Sequence, residues 1–332
     1  MTATAQHEPD ALVAAATAGD EGAFSQLFDR HRGELQVHCY RMLGSFDESE
    51  DLTQETFLRA WRKRATFKGR STYRAWLYRI ATNACLDQLD RAPRKAARTD
   101  GGFEVTWLEP YPDELLDAVP TDEAGPDATV VAKETVELAF MVAIQHLPPR
   151  QRAVLLVRDV LGWSAKETAA LLDSSVASVN SALQRARGAL KEHLPERRLE
   201  WPADRDATEE ERELVQRFLE ATERGDLDGL ADLLSDDAHF CMPPEPFQVS
   251  GGREIVESWK EGGLGTEEYR DWIGRIVYAN RQPAVAWYLK KPGDAEHKAF
   301  ALDVLRIEGG EITQVLAFPG AVLSAFGLPE TV

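Results

Sequence analysis

The chain reads as multidomain: an all-α N-terminal half followed by an α+β domain. Three observations carry that reading. Apolar residues recur at helical steps through most of the first 194 positions. An acidic stretch rich in proline and glycine interrupts them. After Pro195 and Pro202 the pattern changes to two helices followed by strands, with Glu308-Gly309-Gly310 as a hairpin signal between the last two.

The elements follow in order. Phe24, Leu27, Phe28, Leu35, Cys39 and Met42 place one apolar face on a first long helix, which Gly44 closes. Asp47 and Glu50 have capping-box spacing for a second helix over about 49–65. Ser71 is the expected cap of a third, striped by Tyr73, Trp76, Leu77, Ile80, Ala81 and Ala84. A helix then runs to about Leu147, and Pro148-Pro149 opens another up to Gly162. Ser164 to Glu167 is a capping box for a short helix, Asp173-Ser174 is a turn, and Ser175 caps a longer helix with Val176, Val179, Leu183, Ala186 and Leu190 inside. Short helix, tight turn and longer helix make a helix-turn-helix. In the tail, Thr208–Glu211 and Asp226 cap two helices. A strand is expected at Ala238–Met242, a helix at 253–260, and strands near 270–279, 283–290, 298–307 and 311–318 in a curved antiparallel sheet. The expected domains are 10–98 (helical), 99–132 (flexible acidic linker), 133–194 (helix-turn-helix) and 205–328 (α+β). One linker motif, WLEPYPDELL at 107–116, is too apolar for a solvated tether and is expected to dock.

The formal net charge of −18 conceals a segregation. Residues 59–98 carry a net +10, residues 99–137 a net −10 and residues 206–332 a net −13. A local basic patch on an acidic chain marks a polyanion site. No run of apolar residues is long enough to span a bilayer, and MTATAQHEPD has neither the basic patch nor the apolar core of a secretory signal. Cys39, Cys85 and Cys241 are scattered without metal-ligand spacing. These features predict a cytoplasmic protein with no membrane association.

The sequence contains no Gly-rich phosphate loop, G-x-S-x-G or H-E-x-x-H motif. The tail offers an apolar pocket from Phe240, Met242, Trp259, Trp272, Trp287, Tyr288 and Phe318, with Asp237, His239 or Asp303 as conceivable acid or base. The nucleic-acid signals are stronger. Segment 66–83 interleaves Lys68, Arg70, Arg74 and Arg79 with Phe67, Tyr73, Trp76 and Tyr78. Cations neutralise phosphates, and aromatic faces accept unstacked bases, although Trp76 with Leu77 and Ile80 also fits a core. The helix-turn-helix leaves Ser178, Ser181, Gln184 and Arg185 opposite its apolar stripe, where they suit base edges and phosphates. A single-strand-type site and a duplex-type site on one chain fit a protein that holds melted and intact DNA together.

DLTQETFLRAW (51–61), STYRAWLYRIATNACLDQLDR (71–91), LPPRQRAVLLVRDVLGWSAKETAALL (147–172) and SVASVNSALQRARGAL (175–190) resemble an extracytoplasmic-function sigma factor, the promoter-specificity subunit of bacterial RNA polymerase. Residues 208–328 resemble SnoaL-like domains, cone-shaped α+β sheets of polyketide cyclases and ketosteroid isomerases. The linker motif is similar to that of sigma factors carrying such tails. The resemblance implies a sigma region 2 bundle, a region 4 helix-turn-helix, and core RNA polymerase (clamp and flap) and promoter DNA, duplex and melted, as partners. It assigns Asp51, Gln54, Glu55 and Phe57 to the clamp, and Arg70, Ser71, Tyr73, Arg74, Trp76, Arg79 and Asn83 to the −10 element, with Asn83 near a flipped base. It assigns Ser178, Asn180, Ser181, Gln184, Arg185 and Arg187 to the −35 element. The family usually places basic residues where this chain has Asn180 and Ala182, which implies weaker, less salt-sensitive −35 binding.

No catalytic residue, cofactor or metal is assigned, and the tail is read as a regulatory module; an anti-sigma partner or a ligand of the tail stays open. Two rivals stand beside this reading. A helix-turn-helix regulator with a ligand-sensing tail explains 164–190 but leaves 51–91 without purpose. A SnoaL-like isomerase or cyclase fused to a DNA-binding arm would use Asp237, His239 or Asp303.

Overall fold

The computed structural model describes residues 10–69, 71–91, 97–98, 104–105, 108–117, 137–193, 208–243, 245 and 247–332. They belong to two compact units, one from Met1–Arg94 and Leu115–Ala203, the other from Lys95–Glu114 and Asp204–Val332.

The first unit is helical. Helices α1 (Asp10–Ala18), α2 (Glu21–Leu43), α3 (Phe46–Lys63) and α4 (Tyr73–Arg91) pack around Leu27, Leu35, Cys39, Tyr40, Leu77 and Ala81, all fully buried. Gly44 ends α2 in the left-handed region, φ 72°, and returns its N–H to Tyr40 O at 2.7 Å. Two expected caps fall elsewhere. Ser45, not the Asp47–Glu50 pair, accepts from Glu48 N and starts α3 three residues early. Thr72, not Ser71, accepts from Ala75 N at the start of α4. Ser45 has the extended geometry a cap requires, φ −119° and ψ 129°.

The same unit continues with α5 (Leu138–Gln145), α6 (Pro149–Leu155, prolonged by a π turn through Val160), α7 (Ala165–Leu171) and α8 (Val176–His193). Arg152, buried at 4% exposure, stitches α6 to the rest. Its guanidinium donates to Met42 O at the end of α2, to Gln145 O at 2.8 Å and to Leu147 O at 3.2 Å, satisfying carbonyls that helix ends leave unpaired.

The second unit is α+β. Helices α9 (Glu209–Arg224), α10 (Leu227–Ala231) and α11 (Gly252–Glu261) cover one face of a six-stranded sheet. A two-stranded pair, β1 (Ala97–Arg98) and β2 (Glu104–Val105), is separate from it. The sheet comprises β3 (Leu234–Cys241), β4 (Gln248–Ser250), β5 (Trp272–Ala279), β6 (Gln282–Leu289), β7 (Lys298–Glu308) and β8 (Glu311–Pro319), in the order β4-β3-β8-β7-β6-β5. It is mixed rather than antiparallel, because β3 runs parallel to β8. Helix α11 and the strands that follow lie between them in sequence, the long connection a parallel pair needs. Leu214, Phe218, Leu230, Ile255, Val285, Leu305 and Val315 form the helix-to-sheet core, while Leu323 of the 3-10 segment Gly320–Phe326 is buried beside the opposite face.

Residues 108–114 of the linker motif lie within this second unit, and Trp107 lies outside the described residues. Strands β5 and β6 turn through Asn280 and Arg281, both at positive φ, as a two-residue hairpin of primed type demands. Asn280 is nevertheless fully buried, because Tyr111 lies over it. Tyr111 N donates to Asn280 Oδ1 at 2.7 Å, and Asn280 N donates to Tyr111 O at 3.0 Å. Asp113 Oδ1 accepts Arg281 N at 2.9 Å.

Candidate nucleic-acid interface

Helix α4 starts with an aromatic cluster. Phe67, Tyr73 and Trp76 hold their ring centroids 5.4–5.5 Å apart. Tyr73 is the buried member at 3% exposure, while Phe67 and Trp76 keep accessible surface. The two readings of the aromatics therefore divide between residues: Tyr73 is core, and Trp76 is available for stacking. Ser71 is exposed, Asn83 is half-buried about two turns beyond Trp76 on the same side of α4, and Arg70 lies outside the described residues.

The basic residues are held in definite places. Arg74 Nε donates to Glu34 Oε2 at 2.6 Å, Tyr78 Oη donates to the same oxygen at 3.1 Å, and His31 Nδ1 lies 2.6 Å from Oε1. Burial alone would raise the Glu34 carboxyl, but the bonds from His31 and Arg74 outweigh it and hold it below the usual range. Beneath this cluster His38 is buried and pushed down to about 3, so it is a neutral ring bonded to Thr82 Oγ1 at 2.9 Å. Arg79 projects from the outer side of α4, and its guanidinium reaches Asp173 in the turn of the helix-turn-helix at 2.7 Å.

The helix-turn-helix has the expected caps. Ser164 and Glu167 form a reciprocal capping box on α7, and Ser175 Oγ accepts from Ser178 N at 3.1 Å on α8. Val179, Leu183 and Ala186 point inward; Ser178, Asn180, Ser181, Gln184, Arg185 and Arg187 are all exposed. Arg185 Nη1 donates to Ser181 Oγ at 2.7 Å, and Arg187 chelates Asp159 at 2.7 and 2.8 Å. Ala182 is 9% exposed and belongs to the inner stripe. A basic side chain there would not stand on the outer face, so only Asn180 bears on the expected phosphate contacts.

On α3 the four clamp-assigned residues separate. Asp51 and Gln54 are exposed, and Glu55 is half-buried and accepts from Arg59 Nε at 2.8 Å. Phe57 faces inward at 3% exposure, 4.4 Å from Phe28 and edge-on to Phe24. Leu58 is 52% exposed, and its spacing from Asp51 and Gln54 puts all three on one helical face. That spacing was the signal that could have found it.

The tail's polar candidates also separate. Asp237 and His239 are exposed on β3, bonded to Ser235 and Ser250, and do not enter the core. Asp303 does, accepting Trp287 Nε1 at 2.8 Å. Phe240, Trp259, Trp272 and Trp287 gather on the helix-covered face, whereas Tyr288 and Phe318 alternate onto the other and Met242 is exposed.

Comparison with known proteins agrees with this layout. The chain matches the Sigma-70 region 2 family at residues 27–95, the Sigma-70 region 4 family at 137–190 and the SnoaL-like domain family at 215–315. It is 40% identical to the ECF RNA polymerase sigma factor SigG of Mycobacterium tuberculosis over 328 residues, 93% of this chain and 85% of that protein. It is 31% identical to SigJ of the same organism over 237 residues, 69% of this chain and 70% of that protein. The crystal structure of M. tuberculosis SigJ superposes with a TM-score of 0.59 at 21% identity, covering 91% of this chain and 98% of that one, a likeness of fold.

Proposed function

Since the chain belongs to the ECF sigma factors, which direct RNA polymerase to promoters, we propose how its own residues divide that work. Region 2 spans about 10–98 and region 4 about 133–194. The observation that carries the assignment is the pairing of two unlike surfaces: an aromatic and basic face on α4 and an exposed polar face on α8.

Trp76 and Phe67 supply ring faces for a base leaving the −10 stack, Asn83 supplies an amide for its edge, and Arg70, Ser71, Arg74 and Arg79 supply donors for the adjoining phosphates. Flipping a base costs a few kcal/mol, of the order that one or two base–aromatic stacks return. Tyr73 supports the Trp76 ring from below. Ser178, Ser181, Gln184 and Arg185 face the −35 major groove, with Asn180 and Arg187 toward the backbone. Asp51, Gln54 and Leu58 form the clamp-binding face of α3, with Glu55 positioning Arg59 and Phe57 anchoring the helix.

The tail acts as a regulator rather than an enzyme. Its net charge of −13 is opposite in sign to the +10 of residues 59–98, and its exposed Asp237 and His239 are bonded outside the core. In vitro transcription with core polymerase tests the whole scheme. Trp76→Ala with Asn83→Ala should abolish promoter opening, read by permanganate footprinting, while leaving core-enzyme binding intact. Retained opening overturns the −10 assignment. Deleting 205–332 should change transcript yield, and unchanged yield overturns the regulatory reading.

A further inference from the structure

One carboxylate ties α2 to α4, the helix assigned to the −10 element. Glu34 on α2 lies 40 positions before Arg74 and 44 before Tyr78. Its Oε2 stands 2.6 Å from both Nε and Nη2 of Arg74 and accepts Tyr78 Oη at 3.1 Å. Its Oε1 lies 2.6 Å from His31 Nδ1. Only 16% of the Glu34 side chain is accessible, and a carboxylate withdrawn that far from water needs such a set of partners.

The result for Arg74 is a fixed guanidinium. Glu34 holds it along one edge, and one face lies over the Tyr78 ring, 5.0 Å from its centroid. Tyr78 is itself buried and set edge-on against His38, with ring centroids 5.0 Å apart. Even so, 31% of the Arg74 side chain stays accessible, in the first turn of α4 between exposed Ser71 and the accessible Trp76. Attraction alone does not account for this arrangement. A carboxylate 2.6 Å from a guanidinium cancels most of the charge that a phosphate would feel. What the pair gains is direction: a long side chain loses its rotamer freedom on folding, before any DNA is bound.

We propose that Glu34 is a positioning residue for the −10 contact, holding Arg74 so that its accessible edge meets one phosphate and sets the register in which Trp76 and Asn83 meet their base. This rests on the assignment of Arg74 to the −10 element and extends that site to a residue of α2. Phosphate contacts fix register, and base contacts read sequence within it. A loosened Arg74 should therefore blur recognition while, no longer neutralised, attracting every strand more. Because Glu34 acts through Arg74, its effect should vanish once Arg74 is gone.

The test uses the full chain assembled with core polymerase. Fluorescence anisotropy compares a single strand carrying the −10 sequence with a scrambled strand of the same composition, and the ratio of the two affinities is the readout. Glu34→Ala should lower that ratio about three- to tenfold, the scale of ordering one long side chain on binding. It should also tighten binding of the scrambled strand and steepen its salt dependence. Arg74→Ala should lower the ratio as far, and adding Glu34→Ala to it should lower the ratio no further. A ratio unchanged in Glu34→Ala, or one that falls again in the double variant, overturns the proposal. A ratio unchanged in Arg74→Ala overturns the assignment of Arg74 itself and the positioning role with it, so the two failures are told apart. Should Glu34→Ala fail to fold by circular dichroism, Glu34→Gln decides. It keeps the shape but leaves Arg74 only a weaker, neutral acceptor, so the ratio should fall partway. A ratio equal to that of the unaltered chain then overturns the proposal.

Discussion

Arg79 Nη2 donates to both carboxylate oxygens of Asp173, at 2.7 and 2.9 Å. One partner lies on the helix assigned to the −10 element and the other in the turn of the helix-turn-helix. Both are substantially exposed, with side-chain exposures of 47% and 74%, so the pair contributes at most about 1 kcal/mol to folding. Its consequence is for the proposed DNA contact: in this conformation Asp173 holds the cation that the −10 assignment gives to a phosphate.

Releasing Arg79 should therefore tighten binding. Asp173 sits at φ 47°, where asparagine is tolerated and alanine is strained, so Asp173→Asn removes the charge without disturbing the turn. Fluorescence anisotropy with a single-stranded −10 oligonucleotide should show a few-fold gain in affinity and a steeper dependence on salt. Arg79→Ala should show the reverse. Unchanged affinity in Asp173→Asn would mean that the pair does not compete with DNA.

The two arginines on α8 should differ. Among the described residues Arg185 bonds to Ser181 within its own helix, whereas Arg187 is chelated by Asp159. Arg185→Ala should cost about 1–3 kcal/mol in binding to −35 duplex and relax sequence preference. Arg187→Ala should weaken binding uniformly across sequences and reduce the salt slope by about one. Competition binding with point-substituted duplexes separates the two outcomes.

Asp303 makes the tail's stability fall with rising pH. Its folded value, about 7, lies above its ordinary 3.8. The folded state thus holds a proton that the unfolded state has released. The stabilisation is complete below about pH 4 and is lost as pH rises through 7. Thermal melts of the chain should show a transition temperature that declines between about pH 4 and 7, and Asp303→Asn should flatten that decline. An equal decline in the variant would assign the effect elsewhere.

Asn280 tests the docked linker. Its backbone requires positive φ, and its side chain holds Tyr111 N. Asn280→Gly keeps the turn and removes only the side-chain bond, so it should cost about 1–3 kcal/mol for the unsatisfied buried N–H. Limited proteolysis should then cut near 108–113 faster than in the unaltered chain. Equal cleavage rates would show that the bond does not retain the segment.

Sequence alone determined the local features. The helices, Gly44 as a stop, the boxes at Ser164–Glu167 and Thr208–Glu211, and the polar face of α8 follow from spacings of three and four residues, where periodicity and capping act. Partners distant along the chain were beyond it. Asp173 lies 94 positions from Arg79 and Asn280 169 positions from Tyr111, and no spacing rule links them. The parallel seating of β3 beside β8, the inward turn of Phe57 and Ala182, and the choice of Asp303 over Asp237 and His239 as the half-buried acid were tertiary decisions. Each depends on which faces meet, and burial against a particular neighbour sets exposure, hydrogen bonding and proton affinity together.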